Sequence, residues 1–256
     1  MVGAVIGDII GSRLEKNNIK NKDFELFTKQ SRYTDDTVLT IAIADCLLNS
    51  KDYAKTVKKY GRNYPFAGYG GTFKKWLVGI IRGPYNSWGN GSAMRVSPIG
   101  FAFNDEEKIL EEAKKSAEIT HNHEEGIKGA QAIAISIFLA RKGKSKKEIK
   151  KYIEERFGYD LNRTIDEIRP NYEFDVSCQG SVPESIIAFL ESENFEDAIR
   201  TAISIGGDSD TIASMTGAIS EAYYKTIPKE LIEKMNEYLP KDFRKIIHEF
   251  KKKYSA

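Results

Sequence analysis

Two short acidic segments lie far apart in the chain, and each one opens an apolar helical pattern. Residues 34–37 read Thr-Asp-Asp-Thr and residues 208–211 read Asp-Ser-Asp-Thr. Carboxylates and hydroxyls are hard oxygen ligands of the kind that Mg²⁺ and Mn²⁺ prefer. If the two helix starts face each other, four carboxylates come together, and their repulsion requires cations to neutralise it. This pattern predicts a metal-dependent hydrolase with two bound ions.

Helix capping is the alternative explanation of the same residues. Asp and Thr are favoured at helix N-termini because their oxygens accept hydrogen bonds from unpaired backbone N–H groups and carboxylates complement the helix dipole. Capping needs one side chain per helix, whereas each of these starts carries two carboxylates beside a hydroxyl. The doubling favours metal binding, but the spacing alone leaves both explanations open.

The composition is typical of a soluble globular protein. Charged residues make up 30% of the 256 residues and apolar residues 41%, which is ordinary for that class. The formal net charge of +2 favours neither nucleic acid nor membrane as a partner, and no apolar run approaches the ~18 residues of a membrane span. Cys46 and Cys178 are too few for a disulfide framework and lack metal-ligand spacing. We expect a cytoplasmic monomer with one domain over residues 1–256.

Apolar residues recur at helical spacing over most of the chain, and no stretch gives a confident strand with a hairpin turn. The fold class that we predict is therefore all-α, a compact orthogonal helix bundle with functional loops. Residues 59–100 and 158–182 have low helical character and are expected to hold those loops. Helices are predicted over residues 3–14, 36–49, 72–81, 105–119, 124–141, 145–157, 183–191, 194–205 and 210–224, and after Pro228 and Pro240.

The first predicted helix carries three glycines on one face, at Gly3, Gly7 and Gly11. Each one costs roughly 1 kcal/mol of helix propensity relative to alanine. We expect the compensation to be the close approach of another element's backbone to this face.

Two glycine-rich loops could contact a ligand. Residues 87–95 combine Trp88 with small and hydrogen-bonding residues, so their backbone N–H groups could form an anion site and the indole could stack on a base. They lack the pattern of a P-loop, and a simple turn is the alternative. Residues 68–73 are similar: a loop that approaches a ligand, or only a turn.

Three further side chains are candidates for chemistry. His121 and His123 stand at alternate positions, but no third zinc ligand accompanies them, so a structural or substrate-orienting His121 is favoured over zinc. Glu15 follows the glycine-bearing helix and is either a general base or a charged helix end. No serine or cysteine stands in a nucleophile context, which favours attack by a metal-held water.

Taken together, these elements resemble the ADP-ribosylglycohydrolase family over nearly the whole chain. No single motif is diagnostic, but five in this order would rarely arise by chance. The motifs are G-D-x-x-G-S-x-x-E at residues 7–15, Y-T-D-D-T at 33–37, G-N-G-S-A-M-R at 89–95 followed by Pro98, Thr-His at 120–121, and G-G-D-S-D-T at 206–211.

The resemblance implies an all-α fold with two Mg²⁺ or Mn²⁺ ions in a central cleft. The resemblance implies that Asp210 bridges the two ions. The implied metal ligands are Thr34, Asp35, Asp36, Asp208, Asp210 and Thr211. The catalytic carboxylates come from Glu15, Asp35, Asp36 and Asp208, and which of them is the general base stays open.

The resemblance also implies a nucleotide site. The loop at residues 87–90 would hold a diphosphate, Trp88 would lie beside the adenine, and His121 would contact the substrate. Glu15 matches a glutamate that gates the site and serves catalysis in some members. The implied substrate-binding residues are Gly70, Gly71, Ser87, Trp88, Gly89, Asn90 and His121.

The implied reaction is cleavage of a glycosidic bond at the distal ribose, which passes through an oxocarbenium-like transition state. The expected substrate is an ADP-ribosylated protein, with arginine as the leading acceptor. A small conjugate such as an O-acyl-ADP-ribose is the second reading. A non-catalytic ADP-ribose-binding or structural homologue is the third.

Overall fold

The computed structural model describes residues 1–254, and that part of the chain is all-α, as predicted. One isolated antiparallel bridge, Gly89 with Ser177, is its only β pairing. Its fifteen helices are α1 Val2–Gly11, α2 Asp35–Asn49, α3 Tyr53–Asn63, α4 Gly71–Leu77, α5 Gly91–Met94, α6 Ser97–Ala102, α7 Glu106–Glu118, α8 Glu124–Arg141, α9 Lys146–Phe157, α10 Ile165–Ile168, α11 Cys178–Glu191, α12 Phe195–Ser204, α13 Ser209–Tyr224, α14 Lys229–Tyr238 and α15 Lys241–Tyr254.

Most predicted helices are found within a few residues of their expected ends, but four predictions were wrong. The helix predicted over residues 72–81 ends, as α4, at Leu77. The helix expected to begin at Pro183 begins at Cys178, with Ser177 accepting a hydrogen bond from the Gly180 N–H as its cap, so Pro183 lies inside α11. Helix α1 ends at Gly11, before the predicted end at residue 14. Residues 59–100 also hold more helix than expected, because α3 runs to Asn63 and α5 and α6 follow α4.

The glycine face of α1 packs directly against the backbone of another element, as the sequence predicted, and that element is helix α13. A Cβ atom built on Gly3 would lie 2.1 Å from the Gly217 carbonyl oxygen, and one on Gly7 would lie 2.1 Å from the Ala213 carbonyl oxygen. A Cβ on Gly11 would meet the Asp210 backbone at 2.5 Å. No larger residue fits without moving backbone. The three glycines therefore set how closely the N-terminal helix approaches the helix that begins with the second acidic segment.

A continuous apolar core surrounds this helix pair. Helices α8 and α11 pack against α13, and α2 packs against α1, α3, α6 and α15. The interior side chains are mainly isoleucine and alanine, as in α8, where every residue from 129 to 140 except Gln131 is buried. None of the helices in residues 1–254 combines the length and apolar character needed to span a bilayer. The packing brings the starts of α2 and α13 towards one another at one side of the core.

Candidate active site

The first acidic segment forms the start of α2, and a threonine caps it. Thr34 is the N-cap residue, and its side chain accepts the Asp36 N–H at 3.3 Å. The Asp35 N–H donates to the Ala67 carbonyl oxygen at 2.8 Å. The side chains of Asp35 and Asp36 are therefore not used as caps of their helix.

The second acidic segment forms the start of α13, and there too the carboxylate does not cap the helix. Asp208 is the N-cap residue, but its side chain accepts no hydrogen bond from the helix backbone. Its Oδ2 instead accepts the Asn90 Nδ2–H at 2.7 Å. Gly206 and Gly207 precede it with φ of 79° and 66°, a left-handed conformation that glycine adopts readily. The carboxylates of Asp35, Asp36 and Asp208 thus do not cap their helices, whereas Asp210 Oδ1 accepts the Thr211 N–H at 3.1 Å.

The two helix starts meet. Thr211 Oγ1 donates to Asp36 Oδ2 at 3.3 Å, joining α13 to α2. The second oxygen of that carboxylate, Asp36 Oδ1, is buried and has no hydrogen-bond partner within residues 1–254. An unpaired buried carboxylate oxygen is costly, and either a bound cation or a proton on the carboxyl group relieves that cost.

The pKa values of the carboxyl groups in this cluster also show that their negative charge is not neutralised by the protein. Burial, followed by repulsion from Asp8, raises the pKa of Asp35 to about 8. Burial and the neighbouring carboxylates raise the pKa values of Asp36 and Asp210 well above their ordinary range. Burial also raises the pKa of Asp208, although the hydrogen bond from Asn90 opposes this. The protein alone therefore disfavours full ionisation of this cluster.

The donor set fits divalent cations of the Mg²⁺ or Mn²⁺ type. The six predicted ligand positions supply only carboxylate and hydroxyl oxygens, which these hard ions prefer. Asp36 Oδ1 accepts no hydrogen bond from a donor in residues 1–254. Within residues 1–254 no group of three or more His, Cys, Asp or Glu side chains is arranged so that it could hold a metal ion. The fit therefore rests on the oxygen chemistry and the uncompensated charge of the cluster.

A buried carboxylate that the sequence analysis did not single out organises the α2 start. Asp8, on α1, accepts hydrogen bonds from the Thr34 backbone N–H at 2.9 Å and the Thr34 hydroxyl at 2.6 Å. It also accepts from the N–H and hydroxyl of Thr37. Asp8 is fully buried, and four donors satisfy its oxygens. It therefore fixes the position of the first acidic segment relative to α1.

One cavity of about 690 Å³ contains all the site residues that the sequence predicted. The acidic cluster forms one part of its wall and the glycine-rich loops form another. The predicted residues along it are Glu15, Thr34, Asp35, Asp36, Gly70, Gly71, Ser87, Trp88, Gly89, Asn90, His121, Asp208, Asp210 and Thr211.

Glu15 belongs to an irregular segment that follows α1. Burial raises the pKa of Glu15, and the nearby Asp208 raises it further. A raised carboxyl pKa suits a group that takes up and releases protons near neutral pH. Because α1 ends at Gly11, the position of Glu15 is set by loop contacts and not by the helix.

Residues 87–90, the tryptophan loop, are held by direct hydrogen bonds to residues 176–178. Cys178 donates its N–H to the Trp88 carbonyl oxygen at 2.9 Å, and Asn90 donates its N–H to the Val176 carbonyl oxygen at 2.7 Å. Gly89 donates its N–H to Ser87 Oγ at 3.1 Å. The N–H groups of Gly89 and Asn90 are thus already used, so the predicted backbone anion site at residues 87–90 has fewer free donors than the sequence suggested.

The apolar side chains at the cavity mouth are exposed. Trp88 is 55% exposed and lies edge-on to His123 with ring centroids 5.7 Å apart. Phe174 is 56% exposed and Phe66 98% exposed, and both also line the cavity. Exposed aromatic rings beside a polar cavity are suited to stacking on a planar group.

The second glycine loop leaves open space. A Cβ atom built on Gly70 or Gly71 would meet no protein atom within 4 Å. These glycines are therefore not required by packing, and they leave room in the cavity wall beside α4. Gly68 differs, because its φ of 107° requires glycine and a Cβ there would lie 3.3 Å from Asp35 Oδ1.

Comparison with known proteins decides the family. A family model for ADP-ribosylglycohydrolase matches residues 1–256. The chain belongs to the ADP-ribosylglycohydrolase family. It is thereby a hydrolase of that family.

Relatives of this ADP-ribosylglycohydrolase include two proteins with named activities. The mouse ADP-ribosylhydrolase ARH3 is 29% identical over 306 residues, covering 88% of this chain and 82% of the relative. The ADP-ribosylarginine hydrolase Tri1 of Pseudomonas putida (strain GB-1) is 25% identical, covering 92% of this chain and 72% of the relative. A solved chain of an ADP-ribosylglycohydrolase-related protein complex has a TM-score of 0.74 at 21% identity, covering 99% of this chain and 97% of that one, and so shares the fold.

The sequence analysis of this ADP-ribosylglycohydrolase missed several residues of the site. Asp8 was visible only as part of a motif, although an acidic residue inside an apolar helix is itself a signal of a buried polar role. Tyr85, Phe66 and Phe174 line the cavity but stand in segments without a motif. Asn18 fixes the Glu15 segment through contacts to a residue far along the chain, which no local pattern reveals.

Proposed function

We propose that this protein hydrolyses the glycosidic bond between ADP-ribose and an acceptor, in a reaction that depends on two Mg²⁺ or Mn²⁺ ions. The observation that carries the proposal is the meeting of the α2 and α13 starts. There Thr211 contacts Asp36, the Asp36 Oδ1 atom has no partner, and Asp35 has a pKa of about 8. Uncompensated carboxylates of this kind fit cations better than they fit a structural role.

The ions would be held by the oxygen atoms of Thr34, Asp35, Asp36, Asp208, Asp210 and Thr211. When bound, they supply positive charge that neutralises the cluster and acidifies a water and the ribose hydroxyls. Asp8 keeps Thr34 and the start of α2 in place through its four hydrogen bonds. Asn90 keeps the Asp208 carboxylate in place.

Glu15 is our candidate for the group that handles protons. It lies in the cavity wall near Asp208, and burial raises its pKa. In its ionised form it would take a proton from the water that attacks the anomeric carbon of the distal ribose. The C–O bond to that water forms as the glycosidic bond to the acceptor breaks, and the proton that Glu15 took from the water passes to the leaving acceptor, which restores the carboxylate.

The nucleotide would occupy the part of the cavity away from the acidic cluster. Trp88 offers an exposed ring face for the adenine, and the loop at residues 87–90 lies between that ring and Asp208. A cavity of about 690 Å³ lies within the 300–1,000 Å³ that is usual for small-molecule sites. The open space at Gly70 and Gly71 lies near the acidic part and would leave room for a ribose.

Arginine of a protein is the acceptor that we propose. Its support is the P. putida relative, whose name is ADP-ribosylarginine hydrolase and of which this chain covers 72%. The ribose end of the cavity would look alike for an arginine, a serine or an acyl ester, because the chemistry at the ribose is the same.

The test is release of ADP-ribose from a panel of substrates, with and without Mg²⁺ or Mn²⁺. The panel holds an ADP-ribosylated arginine peptide, an ADP-ribosylated serine peptide and an O-acetyl-ADP-ribose, and Asp208→Asn serves as the inactive control. We expect metal-dependent release from the arginine peptide. Release only from the ester would support a small-conjugate hydrolase, and ADP-ribose binding without any release would support a non-catalytic homologue.

A further inference from the structure

Arg95 is a fully buried cation in the wall of the cavity. Its Nη2 donates to the Ser116 carbonyl oxygen and to Thr120 Oγ1, both at 3.0 Å. Its Nε and Nη1 have no hydrogen-bond partner among the described residues. Within residues 1–254, the hydrogen bond to Thr120 is therefore the one hydrogen bond by which the Arg95 side chain acts on a neighbouring side chain.

Thr120 connects Arg95 to His121. Its hydroxyl oxygen lies 2.7 Å from His121 Nδ1 and is buried. A hydroxyl carries one hydrogen and accepts with two lone pairs, and a guanidinium can only donate. Arg95 therefore occupies one lone pair of the oxygen and leaves the hydroxyl hydrogen available for Nδ1.

Tyr85 lies beside Thr120, because its backbone N–H donates to the Thr120 carbonyl oxygen at 3.3 Å. Thr120 is fully buried, and within residues 1–254 its hydroxyl makes hydrogen bonds only with Arg95 and His121. Since a guanidinium can only donate, the threonine hydrogen has His121 Nδ1 as its acceptor.

The other ring nitrogen of His121 faces the tryptophan loop. A Cβ atom built on Gly91 would lie 3.1 Å from His121 Nε2, and one on Gly89 would lie 3.6 Å from it. Within residues 1–254, Nε2 is in none of the side-chain hydrogen bonds that His121 makes. Burial and the charge of Arg95 lower the pKa of His121 well below its usual value. The ring is therefore neutral at physiological pH, and one nitrogen only carries a hydrogen.

We propose that Arg95 and Thr120 are positioning residues that hold His121 as its Nε2–H tautomer, so that the ring donates a hydrogen bond into the cavity beside residues 87–90. This inference rests on the proposed function, in which the acceptor of the hydrogen bond is an oxygen of ADP-ribose. The opposite tautomer would present a lone pair to that oxygen and repel it. The N–H groups of Gly89 and Asn90 are already used within the protein, so the His121 donor gains in importance.

The first test needs no ligand. Nitrogen-15 NMR distinguishes a protonated ring nitrogen from an unprotonated one, and the chain has only three histidines. The signals absent from His121→Gln identify those of His121. We expect Nδ1 to show the unprotonated type of shift and Nε2 the protonated type. A protonated Nδ1 in the neutral ring of the wild type overturns the proposal.

A matched pair of variants tests the role of Thr120. Thr120→Ser keeps the hydroxyl and is expected to keep the tautomer. Thr120→Val keeps the shape and removes the hydroxyl, so the His121 signals should shift towards a mixture of tautomers. Retention of a pure Nε2–H tautomer in Thr120→Val overturns the positioning role of Thr120. Arg95→Met tests the first link in the same way, and the Thr120 pair remains decisive if that variant does not fold.

A titration with ADP-ribose links the tautomer to binding. The wild type and Thr120→Ser should bind alike, and Thr120→Val should bind about ten-fold more weakly or worse, the size expected for a lost hydrogen bond to a charged group. Equal binding by Thr120→Val and Thr120→Ser, despite a changed tautomer, overturns the functional part. Absence of binding by the wild type counts against the proposed function instead, while the NMR result on the free protein still decides the tautomer.

Discussion

Asn18 exchanges two hydrogen bonds with the backbone of Gly207. The Gly207 N–H donates to Asn18 Oδ1 at 2.6 Å, and Asn18 Nδ2 donates to the Gly207 carbonyl oxygen at 3.1 Å. The same amide nitrogen also donates to the carbonyl oxygens of Leu14 and Glu15. One side chain thereby joins the segment that carries Glu15 to the residue that precedes Asp208.

We expect Asn18→Ala to release the Glu15 segment from the start of α13. The lost hydrogen bonds have a net worth of about 1 kcal/mol each, so the fold should survive while the segment gains mobility. Amide hydrogen exchange over residues 12–20 should become faster, and turnover should fall more than ADP-ribose affinity. Asn21→Ala is the matched control, because Asn21 Oδ1 accepts only the Asp23 N–H. Unchanged exchange and turnover in Asn18→Ala would show that the contact is incidental.

The acidic cluster predicts how stability depends on pH and metal. The pKa of Asp35 rises from 3.8 to about 8 on folding, so the folded protein keeps a proton that the unfolded chain has lost. The contribution of this group to stability is therefore greatest below pH 3.8 and is lost as the pH rises through about 8. Metal binding requires the ionised carboxylates, so the gain in melting temperature on adding Mg²⁺ should increase with pH over the same range.

Variants separate this effect from other titrating groups. The N-terminal amine and His121 also have shifted pKa values. Their contribution to the pH dependence of stability is the same with and without Mg²⁺, so it cancels when the melting temperature without Mg²⁺ is subtracted from that with Mg²⁺. Asp208→Asn should lose both the Mg²⁺-induced gain and activity. Asp45→Asn should keep the gain although its bond to Lys51 is lost, because that buried carboxylate lies outside the cavity. A wild type that shows no Mg²⁺ or Mn²⁺ binding by calorimetry would remove the metal mechanism.

Trp88 should contribute to nucleotide affinity. If its ring stacks on the adenine, Trp88→Ala should weaken ADP-ribose binding by about 1–3 kcal/mol, the range for base–aromatic stacking. Mg²⁺ affinity should not change, because Trp88 is not among the predicted metal ligands. Ile80→Ala is the matched control, since Ile80 is 72% exposed and does not line the cavity. Wild-type affinity in Trp88→Ala, measured by titration, would leave the ring with no role in binding.

The sequence predicted the fold class, because helical periodicity is a local signal. It made the meeting of the acidic segments only a condition of the metal prediction, and the contact of Thr211 with Asp36 meets that condition. The glycines at positions 3, 7 and 11 share one helix face by periodicity alone, and their spacing correctly predicted a close neighbour. The identity of that neighbour, α13, did not follow from the sequence. Long-range packing determines which helix lies against α1, and the hydrophobic periodicity of the sequence does not reveal it.

Other parts of the site were out of reach for the same reason. The four hydrogen bonds of Asp8 and the bond from Asn90 to Asp208 join segments far apart in the chain. The start of α11 was misplaced because Pro183 is a favoured first-turn residue, whereas Ser177 caps the helix earlier and Pro183 is accommodated within it. Local propensity thus gave the wrong boundary where a stronger cap stood upstream.

Glu15→Gln tests the assignment of the proton-handling group. The substitution keeps the shape of the side chain and removes its charge, so ADP-ribose binding should survive. If Glu15 takes the proton of the attacking water, the rate of a single turnover on an ADP-ribosylated arginine peptide should fall roughly 10²–10⁴-fold, the usual span for general acid–base catalysis.

Glu15→Asp separates this role from a structural one. It keeps a carboxylate but shortens its reach, so a catalytic Glu15 predicts partial activity in Glu15→Asp and almost none in Glu15→Gln. A structural Glu15 predicts instead a changed melting temperature with near-normal turnover in both variants. Because burial and Asp208 raise the pKa of Glu15, the acidic limb of the wild-type rate profile should lie above the usual glutamate range. Near-wild-type turnover by Glu15→Gln would assign the proton transfer to one of the cluster carboxylates, Asp35, Asp36 or Asp208.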